Sequence, residues 1–364
     1  MSFEAVRADP GAAGRINRFA IELIDQGHRY AAARGLEPQV YRLGDVEMRV
    51  RTAGTALASR FGRALSHALQ SGPPAGTRPW LDLVALDSRA AGLPPTPEWN
   101  FPFVERSHLQ RLHMAADGSV VLAHNIDHRI WEAFDFGSGR AIYWCDHVDD
   151  LPAWEDGSPY RSLVHWASLA TPLGVTHAAA VSVAGRGALL AGAGGSGKST
   201  TTAALVLQGA GSAGDDLVLV DTDAEPRPVA SALYDTLKLD RRALDRLPAL
   251  RAPAQQAVWA DQQKARLYIS DVAPERLRSS FPLHAILLPR VGGGDRTVIS
   301  AATAADAVRA IAPTTMFLLR GGAKETYAKA AALSRRLPTF HLELGRDPTS
   351  AARAVMDWLG ALQP

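Results

Sequence analysis

The sequence holds a single cysteine, Cys145, and only five lysines among its 39 basic residues. One cysteine excludes an intramolecular disulfide and a cysteine-ligated zinc cluster. Neither staple is needed, because 364 residues with 47% apolar content can bury a core of their own. No apolar run approaches the roughly 18 residues of a membrane span. The opening MSFEAVRADPGAAG has early acids and no apolar segment, so it does not read as a secretory signal. There is no dense basic run and the formal net charge is +2, which argues against a nucleic-acid binder held by phosphate contacts. The expected setting is reducing and cytoplasmic, with no membrane and no nucleic acid.

The lysines are Lys198, Lys238, Lys264, Lys324 and Lys329, and the first 197 residues have none. With Ala and Gly also abundant, this is in the main a compositional bias. Lysine is nonetheless a compact point charge and arginine a planar fork. Where a lysine does appear, the question is whether arginine could have served.

Hydrophobic periodicity predicts a helix over 12–34, a strand over 45–51 and a helix over 53–70. SGPPAGTRP (71–79) reads as a loop, strands follow at 80–86, 119–124 and 140–145, and the Pro-interrupted 93–103 is irregular. His124, His128 and His147 are close in sequence, and structural or solvated roles are expected for them. A linker with Pro152, Gly157 and Pro159 leads to a helix over 160–171. The chain thus divides into an N-terminal α+β domain, 1–155, suited to substrate recognition, and a catalytic domain, 160–364. Residues 177–183 and 187–191 read as strands joined so tightly that only an antiparallel pair is allowed. A helix over 324–337 is expected to carry Lys324 on a solvated face. A strand over 339–344 precedes a closing helix, 348–362, with Val355, Trp358 and Leu359 buried.

The second strand of that pair runs into GAGGSGKS (192–199), followed by Thr200. This matches the phosphate loop G-x-x-x-x-G-K-[ST], with roughly 0.005 chance matches expected in such a chain. Its context fits: an apolar strand precedes it and a helix, 198–208, follows. Glycines let backbone N–H groups turn inward around phosphate oxygens, and the helix N-terminus adds partial positive charge. Gly192, Ala193, Gly194, Gly195, Ser196, Gly197, Lys198, Ser199 and Thr200 are the candidate nucleotide-binding residues. Lys198 would reach the β/γ-phosphates and Ser199 would ligate Mg²⁺.

Two acidic positions compete for the metal. Asp221 ends the apolar strand LVLVD, as a metal acid does in many phosphate-loop ATPases. Asp215 and Asp216 stand before that strand, on the order of 16 Å from its far end. Ala and Gly in AGSAG (210–214) are poor strand formers, so propensity slightly favours Asp221.

The segment HAAAVSVAGRGALLAGAGGSGKSTTTAALVLQGAGSAGDDLVLVD resembles the kinase domain of the HPr kinase/phosphorylase family, which shares a core with phosphoenolpyruvate carboxykinase. His177 lies fifteen positions before Gly192, Gly209 follows Lys198 by eleven, and Asp215 follows it by seventeen, as in that family. LHAILLPRVGGGD (283–295) looks like HPr-kinase-like proteins found beside peptide-modification genes. The resemblance implies an α/β catalytic domain with a phosphate-loop core and a mixed sheet. It further implies that ATP and Mg²⁺ are used, Asp216 with Ser199 contacting the metal. Asp215 would take the proton of a serine hydroxyl, with His177 near the phosphates. Two adjacent carboxylates beside a metal cannot be equivalent, and the one facing the nucleophile can take its proton. The first 150 residues are unlike the N-terminal domain of true HPr kinases, so the expected acceptor is a serine of another protein or of a ribosomally made peptide. The family's hexamers suggest a homo-oligomer. Arg290, before Gly292–Gly294, is the expected neutraliser of phosphoryl charge, with Lys238 the other candidate.

A small-molecule kinase on the same core is the alternative, as is an ATPase or GTPase switch using Asp221. Carboxykinase activity needs lysine and histidine metal ligands upstream of the loop, and no lysine precedes Lys198.

Overall fold

The computed structural model describes residues 10–72, 79–101, 105–106, 110–255, 257–260 and 264–363. The expected start of the chain through residue 9, most of the 71–79 loop and the end of the 93–103 stretch lie outside them. The chain forms two compact units. One comprises the residues through Arg63, Leu69–Glu155 and Pro159–Ala170; the other comprises Ala64–Ala68, Asp156–Ser158 and Thr171–Pro364. Both are mixed α/β. Among the described residues, no helix is long and apolar enough to cross a membrane.

The first unit is an eight-stranded sheet. Its strands run in the order Gln39–Leu43, Val46–Ala53, Leu81–Asp87, Arg140–Cys145, Ile130–Asp135, Val120–Asn125, Gln110–Met114, Glu105–Arg106. The strand expected at 45–51 is the second arm of a hairpin, and the helix expected to reach residue 70 ends at Leu65 before a 3₁₀ turn. The helix Pro10–Ala33 lays Ile16, Ala20, Leu23 and Ile24 against Val84, Leu122, Trp131 and Ile142. Gly27 lets it sit close, since a Cβ there would lie 2.7 Å from Ile142 Cδ1. The three histidines have separate partners. His124 stacks on Trp131 with centroids 4.2 Å apart, and burial pushes its pKa down to about 4. His128 Nδ1 meets the Asp150 carbonyl, and His147 caps the turn Val148–Asp150.

The second unit is built on a mixed sheet in the order Gly211–Gly214, Ala178–Val183, Arg186–Ala191, Ser280–Val291, Val229–Ala232, Val218–Asp221, Leu173–Thr176. The strand Thr339–Leu344 adds to Ser280–Val291 in parallel. The hairpin before the glycine loop is antiparallel, pairing Ala178 with Ala191 and Val183 with Arg186. Its turn residues, Ala184 and Gly185, have φ of +49° and +79°. Two successive positive φ values match the right-handed twist of a two-residue hairpin. The strand Arg186–Ala191 then runs parallel to Ser280–Val291, whose Ala285, Ile286 and Leu287 bury between the layers. The helix Lys198–Leu207 and the helix Pro348–Gly360 cover one face, and the helix Ala304–Leu318 covers the other. Val355 and Leu359 are buried as expected, but Trp358 is half-buried and meets Phe340 edge-on.

A second, three-stranded sheet orders Thr236–Asp240, Lys264–Tyr268 and Val258–Ala260. Residues 152–159 were expected to be a linker by composition, yet Asp156, Gly157 and Ser158 are buried and pack on this sheet. Thr236 Oγ1 donates to the Gly157 carbonyl at 3.0 Å, and Arg266 donates to Asp156 at 2.9 Å. Both side chains of that ion pair are at most 10% exposed. Removing one partner of such a pair strands a buried charge, which costs roughly 3–5 kcal/mol. Asp156→Ala is therefore expected to lower unfolding free energy by about 3 kcal/mol in urea titration, while the exposed Glu275→Ala changes it by less than about 0.5 kcal/mol.

Candidate active site

Three of the five lysines, Lys198, Lys238 and Lys264, line one cavity of about 700 Å³ in the second unit. The glycine loop forms its floor. Strand Arg186–Ala191 delivers the loop, and Gly197 caps the helix Lys198–Leu207 with φ +99°. A Cβ at Gly197 would lie 2.4 Å from Leu344 Cδ1, so only glycine lets the loop sit against the strand Thr339–Leu344. Gly194 and Gly195 face open space. Lys198 Nζ donates to the carbonyls of Gly192 at 2.6 Å and Ala193 at 3.3 Å. Burial lowers its pKa, with Asp215 and Asp216 opposing the shift.

The acid pair comes to the loop; Asp221 does not. Asp221 ends its strand and its carboxylate accepts from the amides of Asp223 and Ala224, closing a turn. Asp215 and Asp216 follow the short strand Gly211–Gly214 instead. Leu217 N–H donates to the Asp215 carbonyl at 3.0 Å, and Asp216 between them has φ +75°. This is a γ-turn of the strained hand. It sends the two side chains different ways.

Asp215 is buried, 1% exposed, below the cavity wall. Its Oδ2 accepts from the Lys238 amide at 3.3 Å, while Oδ1 is buried with no hydrogen-bond partner. Burial, and then the neighbouring charge of Asp216, raise its pKa, against the Ser199 hydroxyl and the Lys238 amide. Asp216 faces the cavity. Its Oδ2 pairs with Lys238 Nζ at 2.8 Å and its Oδ1 with His177 Nε2 at 3.1 Å. Burial alone would raise its pKa, but the Lys238 ammonium and then His177 hold it well below the carboxylate range. Because an ionised carboxylate only accepts, His177 Nε2 carries a proton. His177 is anchored by its own amide, which donates to Thr315 Oγ1 at 3.0 Å.

Arg290 does not join this site. Strand register sets it opposite Glu343, its guanidinium pairs with that carboxylate, and the arginine side chain is 55% exposed. It does not line the cavity. Lys238 takes the inner position, from the middle of strand Thr236–Asp240. Lys264, Arg242 and Arg246 also line the cavity and carried no sequence motif. Of the three lysines that line the cavity, the sequence singled out Lys198 by its motif and Lys238 as a candidate for phosphoryl charge, and gave no signal for Lys264. Apolar walls come from Pro313, Phe317 and Leu318 on one side and Val291, Leu344 and Pro348 on another.

The donors fit a magnesium-bound polyphosphate. The glycine loop is open toward the cavity, Ser199 and Asp216 line it as oxygen donors, and Ser196 Oγ and Asp215 Oδ1 are buried without partners. Hard cations of this kind take one or two protein oxygens and complete their shell with phosphate and water. Among the described residues, no group of three or more His, Cys, Asp or Glu could hold a metal unaided.

Opposite pKa shifts predict opposite stability effects. Asp216 contributes stability above the ordinary carboxylate pKa of about 4, and loses it as pH falls through its lower native value. Asp215 does the reverse: its ionisation costs stability as pH rises from about 4 through its raised native value. At pH 7, Asp216→Asn is expected to lower unfolding free energy by about 1–3 kcal/mol, because it leaves Lys238 without its carboxylate. Asp215→Asn is expected to be neutral or stabilising. Urea titrations at pH 5 and pH 7 check both; loss of stability in Asp215→Asn at pH 7 contradicts the assignment.

No protein-family model matches the chain, and no curated protein matches it in sequence. Among solved structures, the chain is similar to the HPr(Ser) kinase/phosphatase from Coxiella burnetii. That likeness is distant: TM-score 0.30 and 9% identity, covering 50% of this chain and 95% of the other.

Proposed function

We propose that the protein is a Mg·ATP-dependent phosphotransferase whose acceptor is a serine hydroxyl of a protein or peptide. The observation that carries this reading is the pair of adjacent carboxylates beside the phosphate loop, one buried with an unpartnered Oδ1 and the other held by Lys238 and His177. Sites that run acid–base chemistry near neutral pH are built on such divergent pairs. A nucleotide switch using Asp221 has no support, because that carboxylate closes a turn away from the cavity.

When bound, Mg·ATP supplies the transferable phosphoryl group and part of the charge neutralisation. The chain's own residues position it and move one proton. The loop amides and Lys198 would hold the phosphates, and Ser199 and Asp216 would supply the protein oxygens for the metal. Asp215, with a raised pKa and an unpartnered Oδ1, would accept the proton that the acceptor hydroxyl loses as its oxygen bonds to the γ-phosphorus and the bond from that phosphorus to the bridging oxygen breaks, releasing ADP. Lys238 keeps Asp216 ionised, and His177 orients it. The acceptor hydroxyl must reach Asp215 from the cavity side, where Asp216 is the more exposed of the two. That exposure favours a second reading, in which Asp216 takes the proton through its contact with His177.

The two readings differ in pH dependence. With Asp215 as base, kcat/KM falls on the acid side through a pKa above the ordinary carboxylate range; with Asp216 it falls well below that range. Asp215→Asn is expected to lower kcat by roughly 10²–10⁴ while ATP still binds, as read by phosphate transfer from labelled ATP and by nucleotide titration. Lys198→Arg retains charge, but its planar fork does not fit between the loop carbonyls. Loss of at least about tenfold in kcat/KM is expected, and full activity in that variant contradicts the phosphate-loop reading at its centre.

A further inference from the structure

The cavity's cations outnumber its carboxylates. Lys198, Lys238, Lys264, Arg242 and Arg246 line it against Asp216 and Asp240. Most of these groups are committed. Lys238 pairs with Asp216, and Lys198 holds the loop carbonyls. Arg246 donates to the Arg346 carbonyl, and Asp240 caps the helix Arg241–Arg246 by accepting from the Ala243 amide at 2.8 Å. Lys264 and Arg242 remain. Among the described residues, neither side chain makes a hydrogen bond or ion pair.

Strand register explains where they stand. Lys238 and Asp240 are two residues apart and share one face, about 7 Å along the strand. Lys264 is the cross-strand partner of Asp240, and Arg242 follows Asp240 by two in the helix. The free cations therefore flank the outer end of the strand whose middle holds Lys238. Both are exposed.

A magnesium-bound nucleoside triphosphate brings about two negative charges. The lining cations exceed the lining carboxylates by three; the nucleotide's charge and Asp215 belong to the glycine-loop end, and the positive charge of Lys264 and Arg242 at this outer end has no paired carboxylate among the described residues. A neutral acceptor would leave it so, and an anionic one would cover it. We propose that Lys264 and Arg242 bind an acidic group on the acceptor, and that the acceptor is a serine within an acidic peptide segment. The inference rests on the phosphotransferase reading and adds the acceptor's charge. An exposed ion pair changes affinity by roughly two- to fivefold, and two acting together by about tenfold. Added salt weakens both.

The full chain is assayed with labelled ATP and three peptides of equal length, in which the serine is followed by two Asp, two Asn or two Lys. Wild type is expected to favour the Asp peptide over the Lys peptide by about tenfold or more in kcat/KM, and to lose much of that preference in high salt. The double variant R242E/K264E is expected to invert the preference, and R242Q/K264Q to erase it. The ATP dissociation constant, read by titration with a fluorescent ATP analogue, is expected to stay within about threefold in both. Equal phosphorylation of the three peptides by wild type overturns the acidic acceptor and leaves the phosphotransferase reading standing. A tenfold loss of ATP affinity in the Gln variant also overturns it, since the two cations would then grip the nucleotide. Nucleotide binding with no transfer to any peptide overturns the phosphotransferase reading, and this inference with it.

Discussion

Lys238 grips both members of the acid pair, and the candidate site depends on that double contact. Its amide reaches Asp215 and its ammonium reaches Asp216. Like unit charges about 4 Å apart repel by about 4 kcal/mol at an effective dielectric near 20, so adjacent carboxylates do not ionise independently. A cation on one of them resolves the conflict by fixing which stays charged. Asp216 gains the ammonium and His177; Asp215 is buried, with the Lys238 amide and the Ser199 hydroxyl as neutral partners and Lys198 farther off. Remove the ammonium, and the neighbours would compete for one proton as a coupled pair. The three-stranded sheet presents that lysine to the cavity, with Asp240 and Lys264 farther along. The buried segment Asp156–Ser158 supports it from behind, with Gly157 so close that a Cβ would come within 3.0 Å of Lys238 Cε.

The parts of this arrangement that were legible in the sequence are local. The glycine loop, the tight hairpin feeding it and the helix it opens are contiguous, and each obeys a short-range steric rule. The placement of Asp215 and Asp216 was legible only through family resemblance. Propensity alone pointed to Asp221, because AGSAG looks like a poor strand. Gly211–Gly214 forms one all the same: the hairpin strand beside it supplies the hydrogen bonds, and Ser212 Oγ reaches the Ala180 carbonyl.

What was not legible is long-range. Lys238 meets Asp216 across 22 residues, and no spacing rule connects a mid-strand lysine to a turn. Arg290 failed for the same reason in reverse. A strand end followed by glycines suggested a site edge, but the parallel register brought Glu343 alongside and turned the pair to solvent. Residues 152–159 misled by composition. Gly157 there serves close packing against Lys238 and Arg266, not freedom of the chain. In the first unit the strands Gln110–Met114 and Ile130–Asp135 escaped notice; Gln, Arg and His in the one and central Glu132 in the other blur the apolar alternation.

The γ-turn at Asp216 has a consequence for what this position can become. At φ +75°, asparagine and glycine are the residues that fit without added backbone cost, and aspartate is tolerated for the same reason as asparagine. Alanine there would disturb the turn and remove the charge together, and glutamate would keep the charge but disturb the turn and shift the carboxylate by a methylene, so neither separates the two effects. Drift in sequence at this site is therefore channelled. The smallest backbone-compatible step away from Asp216 is the one that keeps the turn, deletes the charge and leaves Lys238 facing its neighbour Asp215 instead.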